Sequence, residues 1–126
     1  MIPLCQDQNI ALIPWSPLAR GQLAGNKTAN TKRAQTDDFS KRIYTHPGDT
    51  KVIDRVTEVA AGRHVPPAQV ALAWMLSKPH ITAPIVGASK PHHIPDAVAA
   101  LALKLDDDEI KRLEEVYEPH AVLGHN

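Results

Sequence analysis

The chain has 126 residues, of which 43% are hydrophobic and 22% charged, enough for one ordinary soluble domain and short for two. Fourteen basic and fourteen acidic residues cancel. That balance argues against a general binder of nucleic acid or anionic membrane, which needs a basic excess. The single cysteine, Cys5, can make no internal disulfide, no apolar run approaches the roughly 18 residues of a membrane span, and the first residues are too short and polar for a signal peptide. A cytoplasmic location is expected by elimination.

In chain order, residues 9–15 (Asn-Ile-Ala-Leu-Ile-Pro-Trp) form a short apolar run that predicts a strand buried on both faces, as in a parallel sheet, with Pro14 at its end. A turn over Ser16–Gly21 leads into a polar stretch reaching about Thr50, long for a structureless connection and therefore a candidate functional loop. Val52, Ile53, Val56, Val59 and Ala60 recur at helical spacing and predict a helix over 50–62, with Gly62 as its stop. A second helix is predicted from Pro66-Pro67. Its apolar residues cover most of its circumference, so it should be packed on several sides. Residues 82–86 read as a second apolar strand, followed by a helix over about 91–101. A last helix begins near Asp106, where Glu109 completes a capping-box pattern, with Ile110, Leu113 and Val116 on one face. The tail from Tyr117 reads as extended. Two buried-type strands separated by helices make a βαβ unit, yet two strands do not complete a parallel sheet and would leave open edges.

Two segments could carry chemistry. Gly87 permits close backbone approach, Ser89 brings a hydroxyl and Lys90 a charge, all between a strand and a helix start. This suits a phosphate, while the plainer reading makes Ser89 a helix cap and Lys90 a solvated side chain. Trp15 ends the first strand, where parallel α/β proteins bind ligands, and its indole could stack on an aromatic ring or simply fill a core. Arg20, Lys27, Lys32 and Arg33 could clamp phosphates or be solvated. No histidine pair or cysteine cluster has metal-ligand spacing, and Asp106–Asp108 reads as the acidic start of a helix. No P-loop or Rossmann glycine pattern is present.

At these two segments the chain resembles the aldo/keto reductase superfamily. Ile13-Pro14-Trp15-Ser16-Pro17-Leu18-Ala19-Arg20-Gly21, with Leu23 and Gly25, is similar to the family's seventh-strand segment, nearest the branch with bacterial oxidoreductases and potassium-channel β subunits. Arg33-Ala34-Gln35-Thr36-Asp37 resembles the loop that follows. Pro84-Ile85-Val86-Gly87-Ala88-Ser89-Lys90-Pro91 resembles the eighth strand and cofactor helix, and residues 117–125 resemble the family's tail. The resemblance implies an α/β fold: the C-terminal part, strands 7 and 8 with their helices, of a (β/α)8 TIM barrel. Residues 1–126 would be one partial domain. It implies NADP (NADPH) as cofactor, no metal, and a small-molecule carbonyl substrate in the complete enzyme.

By the same resemblance, Trp15 would stack on the nicotinamide. Ser16, Pro17, Leu18 and Arg20 would line the pyrophosphate with help from Gly25 and Arg33. Gly87, Ser89 and Lys90 would hold the 2′-phosphate, and His93, Asp96 and Ala97 would face the adenosine. Nearby family members usually carry glutamine at the place of His93 and asparagine at that of Ala97, so adenine recognition loses amide hydrogen bonds here. Nothing matches the catalytic aspartate, tyrosine, lysine and histidine, which come from the first half of such barrels. The chain alone is therefore expected to be inactive. The alternative is a non-catalytic nucleotide-binding or self-associating module that covers its open strand edges with a second copy.

Overall fold

Side-chain caps mark the start of three of the described helices, and proline the start of another with no such cap. A computed structural model describes residues 1–25, 37–44, 46–121 and 123. Six α-helices are present among them: α1 (Ile2–Asp7), α2 (Asp38–Ile43), α3 (Pro47–Arg63), α4 (Pro67–Leu76), α5 (His93–Ala99) and α6 (Asp107–Glu114). A kinked 3-10 segment, Ala19–Ala24, lies between α1 and α2. None of the helices among the described residues is long and apolar enough to cross a membrane.

The helix expected over 50–62 begins three residues earlier, because His46 caps it. The Gly48 N–H donates to His46 Nδ1 at 3.1 Å, and the His46 N–H donates to the Asp49 carboxylate at 3.1 Å. Gly62 does not stop the helix: it lies inside α3, and the chain turns out at His64 with φ 56°. α4 starts at the second proline as expected, and Val70, Ala71, Leu72 and Ala73 are all buried. α5 is shorter than expected, spanning His93–Ala99. α6 has the expected capping box: Asp106 Oδ1 accepts from the Glu109 N–H at 2.8 Å, and Glu109 Oε2 accepts from the Asp106 N–H at 2.9 Å. Two helices, α1 and α2, were not foreseen.

The two expected strands are reduced to two isolated parallel bridges, Leu12 with Ile81 and Trp15 with Ile85. The Thr82 and Ile85 N–H groups donate to the carbonyls of Leu12 and Pro14, each at 2.9 Å. Between the bridges the first segment advances three residues and the second four. Each segment also carries a proline in this interval, Pro14 and Pro84, that cannot donate. A continuous ladder is impossible on those terms. Nor are the segments buried on both faces: Ile10, Ile13, Trp15 and Ile85 are each more than half exposed.

The core lies in the helical layer. Val56, Val59 and Ala60 of α3 meet Val70 and Ala71 of α4 and Leu113 of α6, with Leu18 and Leu23 from the 3-10 region packed against them. Ion pairs fasten α6 to its neighbours. Arg63 holds Glu109 with two guanidinium nitrogens, Arg55 donates to Glu115 at 2.5 Å and to the Arg112 carbonyl at 2.8 Å, and Glu114 receives the Lys78 ammonium and the Trp74 indole N–H. The tail is tied back onto α3: Lys51 pairs with Glu118 at 2.5 Å, and the His120 ring stacks on His46 at 4.8 Å.

Candidate functional site

The Trp15–Ile85 bridge sets the two chemistry-bearing loops side by side. Each bridged residue leads toward its loop: Ser16–Gly21 directly after Trp15, and Gly87–Lys90 two residues beyond Ile85. Segments more than 60 residues apart in sequence thus leave one parallel pairing at the same end, the end at which α/β folds place their ligands.

The first loop is wound tightly. Ser16, Ala19 and Arg20 have φ of 53°, 47° and 56°, and Gly21 has 102°. Left-handed backbone costs non-glycine residues about 1–2 kcal/mol each, and clusters of it mark sites where backbone shape matters. The Ala19 N–H donates to the Ser16 carbonyl at 2.9 Å and the Gly21 N–H to the Leu18 carbonyl at 2.8 Å, which holds the turn closed. Within it Trp15 is 60% exposed, Pro17 is buried, and Leu18 turns into the helical core. Arg20 is committed to a partner: its Nε lies 2.5 Å from Asp37 Oδ2, and its guanidinium carbon sits 5.5 Å from the centre of the Phe39 ring. Gly25, with φ 79°, packs on the Pro67 ring at the start of α4, where a Cβ would come within 3.1 Å of Pro67 Cγ. Arg33, Lys27 and Lys32 lie outside the described residues.

The second loop is open. Gly87, Ala88, Ser89 and Lys90 are all exposed. A Cβ at Gly87 would meet nothing within 4 Å, so the chain itself gives no steric reason for glycine there. The Ser89 N–H donates to His93 Nδ1 at 3.3 Å, and His92 stands edge-on to His93 at 4.8 Å. Asp96 and Ala97 follow on α5, both half-buried. The structure therefore joins Trp15, Ser16 and the Gly87–Lys90 loop in one region, while Leu18 and Gly25 serve the packing of the helices. The region thus combines an exposed tryptophan, an open glycine loop and an exposed lysine.

Asp37, Phe39 and Arg42 also belong to this region. The Phe39 ring lies 6.4 Å from that of Trp15, tilted by 37°. The Asp37 side chain is 7% exposed, and its Oδ1 caps α2 by accepting from the Ser40 N–H at 2.9 Å. An aspartate three residues ahead of a serine is a weak cap signal that sequence reasoning passed over inside a polar stretch.

The aldo/keto reductase family pattern matches residues 1–118. The chain belongs to the aldo/keto reductase family. Among similar proteins are a Schizosaccharomyces pombe protein described as an aryl-alcohol dehydrogenase, 44% identical over 98% of this chain and 35% of that one, and the versiconal hemiacetal acetate reductase of Aspergillus parasiticus, 44% identical over 97% and 36%. The crystal structure of the thermostable aldo-keto reductase Tm1743 superposes with a TM-score of 0.61, covering 92% of this chain and 33% of that one at 24% identity. This chain thus spans about a third of the length of the aldo/keto reductases it matches. The family fold is a (β/α)8 barrel, and the likeness in fold extends over nearly all of this third.

Proposed function

We propose that the chain is the C-terminal, cofactor-binding portion of an NADP-dependent aldo/keto reductase, with residues around 12–15 and 81–85 acting as strands 7 and 8 of the barrel. The parallel Trp15–Ile85 bridge supports this reading, because it sets Trp15 and the segment leading into Gly87–Lys90 side by side. Trp15 offers the stacking surface for the nicotinamide and Ser16 lines the pyrophosphate; of the other residues expected there, Leu18 is turned to the core and Arg20 to Asp37. Lys90 and Ser89 hold the 2′-phosphate, with Gly87 leaving room for its approach and His93 and Asp96 flanking the adenosine. When bound, the dinucleotide supplies a hydride to an aldehyde or ketone in the complete enzyme. The proton for the carbonyl oxygen would come from residues in the first half of such a barrel, to which residues 1–126 do not correspond. The isolated chain is expected to bind without turning over, in the cytoplasm.

Fluorescence titration of the purified chain tests this. NADPH should quench Trp15 saturably and more tightly than NADH, and the Trp15→Phe variant should lose the effect. Absence of quenching in a folded sample would remove the cofactor reading. A second reading, self-association as a non-catalytic module, is favoured by the apolar surface left open at Ile10, Ile13 and Ile85 on the paired segments and at Ile94, Val98 and Leu101 on and just after α5. A discrete dimer in sedimentation velocity, with no response to either nucleotide, would select it.

A further inference from the structure

Trp15 is exposed at the end of a pairing that consists of two isolated bridges and no continuous ladder. Neither backbone ladder nor core packing fixes such a ring, and a side chain free to swing must lose that freedom when anything stacks on it. We infer that Phe39 is a positioning residue for Trp15: it braces the indole, and Arg20, anchored by Asp37, keeps Phe39 in place.

The geometry is a connected unit. Phe39 arrives from 24 residues downstream and stands 6.4 Å from the Trp15 ring, tilted by 37°, inside the ~4.5–7 Å range of favourable aromatic pairs. Arg20 and Arg42 bring their guanidinium carbons to 5.5 and 6.0 Å from the Phe39 centroid, within the roughly 6 Å reach of cation–π attraction. The Asp37 carboxylate links the two segments. One oxygen receives Arg20 at 2.5 Å, and the other caps the helix that carries Phe39. Arg20 makes this contact from a left-handed backbone, φ 56°. Trp15 as a whole stays 60% exposed, so the brace orients the residue without covering it. What it serves is a planar aromatic ring of a dinucleotide, and in this respect the inference rests on the function proposed above.

The test uses the whole chain in a Trp74→Phe background, so that Trp15 is the only indole. Phe39→Leu should lower the fluorescence anisotropy of Trp15, raise its acrylamide quenching constant about twofold, and weaken NADPH binding by about three- to tenfold. Phe39→Tyr should restore all three. Arg20→Lys keeps the charge but loses the flat guanidinium, and should move Trp15 the same way by a smaller amount. A merely structural Phe39 would lower the melting temperature and leave anisotropy and quenching unchanged in the folded protein. That result, in both Phe39→Leu and Arg20→Lys, overturns the proposal. If the variants loosen Trp15 while even the parent chain takes no NADPH, the brace stands and the cofactor reading falls.

Discussion

At the scale of single residues, backbone conformation decides more than side-chain chemistry. His64 leaves α3 with φ 56°, in a region that a residue bearing a Cβ enters at a cost of about 1–2 kcal/mol. Gly62, two residues earlier, sits inside the same helix with nothing within 4 Å of the place a Cβ would take. Glycine and non-glycine are thus each where the other would serve better. Gly62→Ala should gain about 1 kcal/mol from helix propensity. His64→Gly should gain somewhat less, because relief of strain is partly offset by the greater freedom of glycine in the unfolded chain. Thermal melts followed by circular dichroism should rise by about 3–5 °C for the first and less for the second. A fall in either would show that the residue has a role in α3 beyond conformation. The sequence suggested the reverse assignment, with Gly62 as the stop, because glycine is the usual residue at such an exit and nothing in the local pattern reveals that histidine has taken it.

At the scale of elements, α6 is held to the core by charge as well as by Leu113. The Arg63 guanidinium holds the Glu109 carboxyl below the ordinary glutamate range, with burial working the other way. The Lys78 ammonium and then the Trp74 N–H lower that of Glu114, while Arg55 and Lys51 do the same for Glu115 and Glu118. A carboxylate whose folded pKa is depressed stabilises fully above its unfolded value, about 4.3 for glutamate, and loses that contribution as pH falls through the folded value. The melting temperature should therefore hold steady from about pH 7 to about pH 5 and drop below about pH 4.5. Arg63→Met should lower it at neutral pH and flatten the acid limb; parallel curves for variant and parent would contradict the pairing. These pairs are largely solvated, so each is modest alone. The capping box of α6 and the proline start of α4 were legible in the sequence because their chemistry lies within three residues. The strands were not, because burial on both faces depends on neighbours that no local pattern contains. In each of these segments a proline also stands where a ladder would need a donor.

At the scale of the whole molecule, the division of labour is between a packed helical layer and a thin paired layer that carries the site. The helices alone hold the buried cluster of Val56, Val59, Ala60, Val70, Ala71 and Leu113, whereas the paired segments expose Ile10, Ile13, Trp15 and Ile85. Family membership was legible because the residues that carry it, Trp15 to Gly21 and Gly87 to Lys90, form contiguous runs. The pairing of Phe39 with Trp15 was not, because it joins residues 24 positions apart that share no local pattern.

The His46 cap has a further consequence. Only a neutral imidazole can accept the Gly48 N–H, and the same ring carries the stacked His120 of the tail. Removing the ring would therefore strip α3 of its cap and the tail of its stacking surface in one change, leaving the Lys51–Glu118 pair to hold the tail. His46→Ala should speed amide exchange in the first turn of α3 and proteolysis of the tail together. His46→Asn, which still offers a cap acceptor, should speed only the tail. One ring thus starts a helix and seats the far end of the described chain.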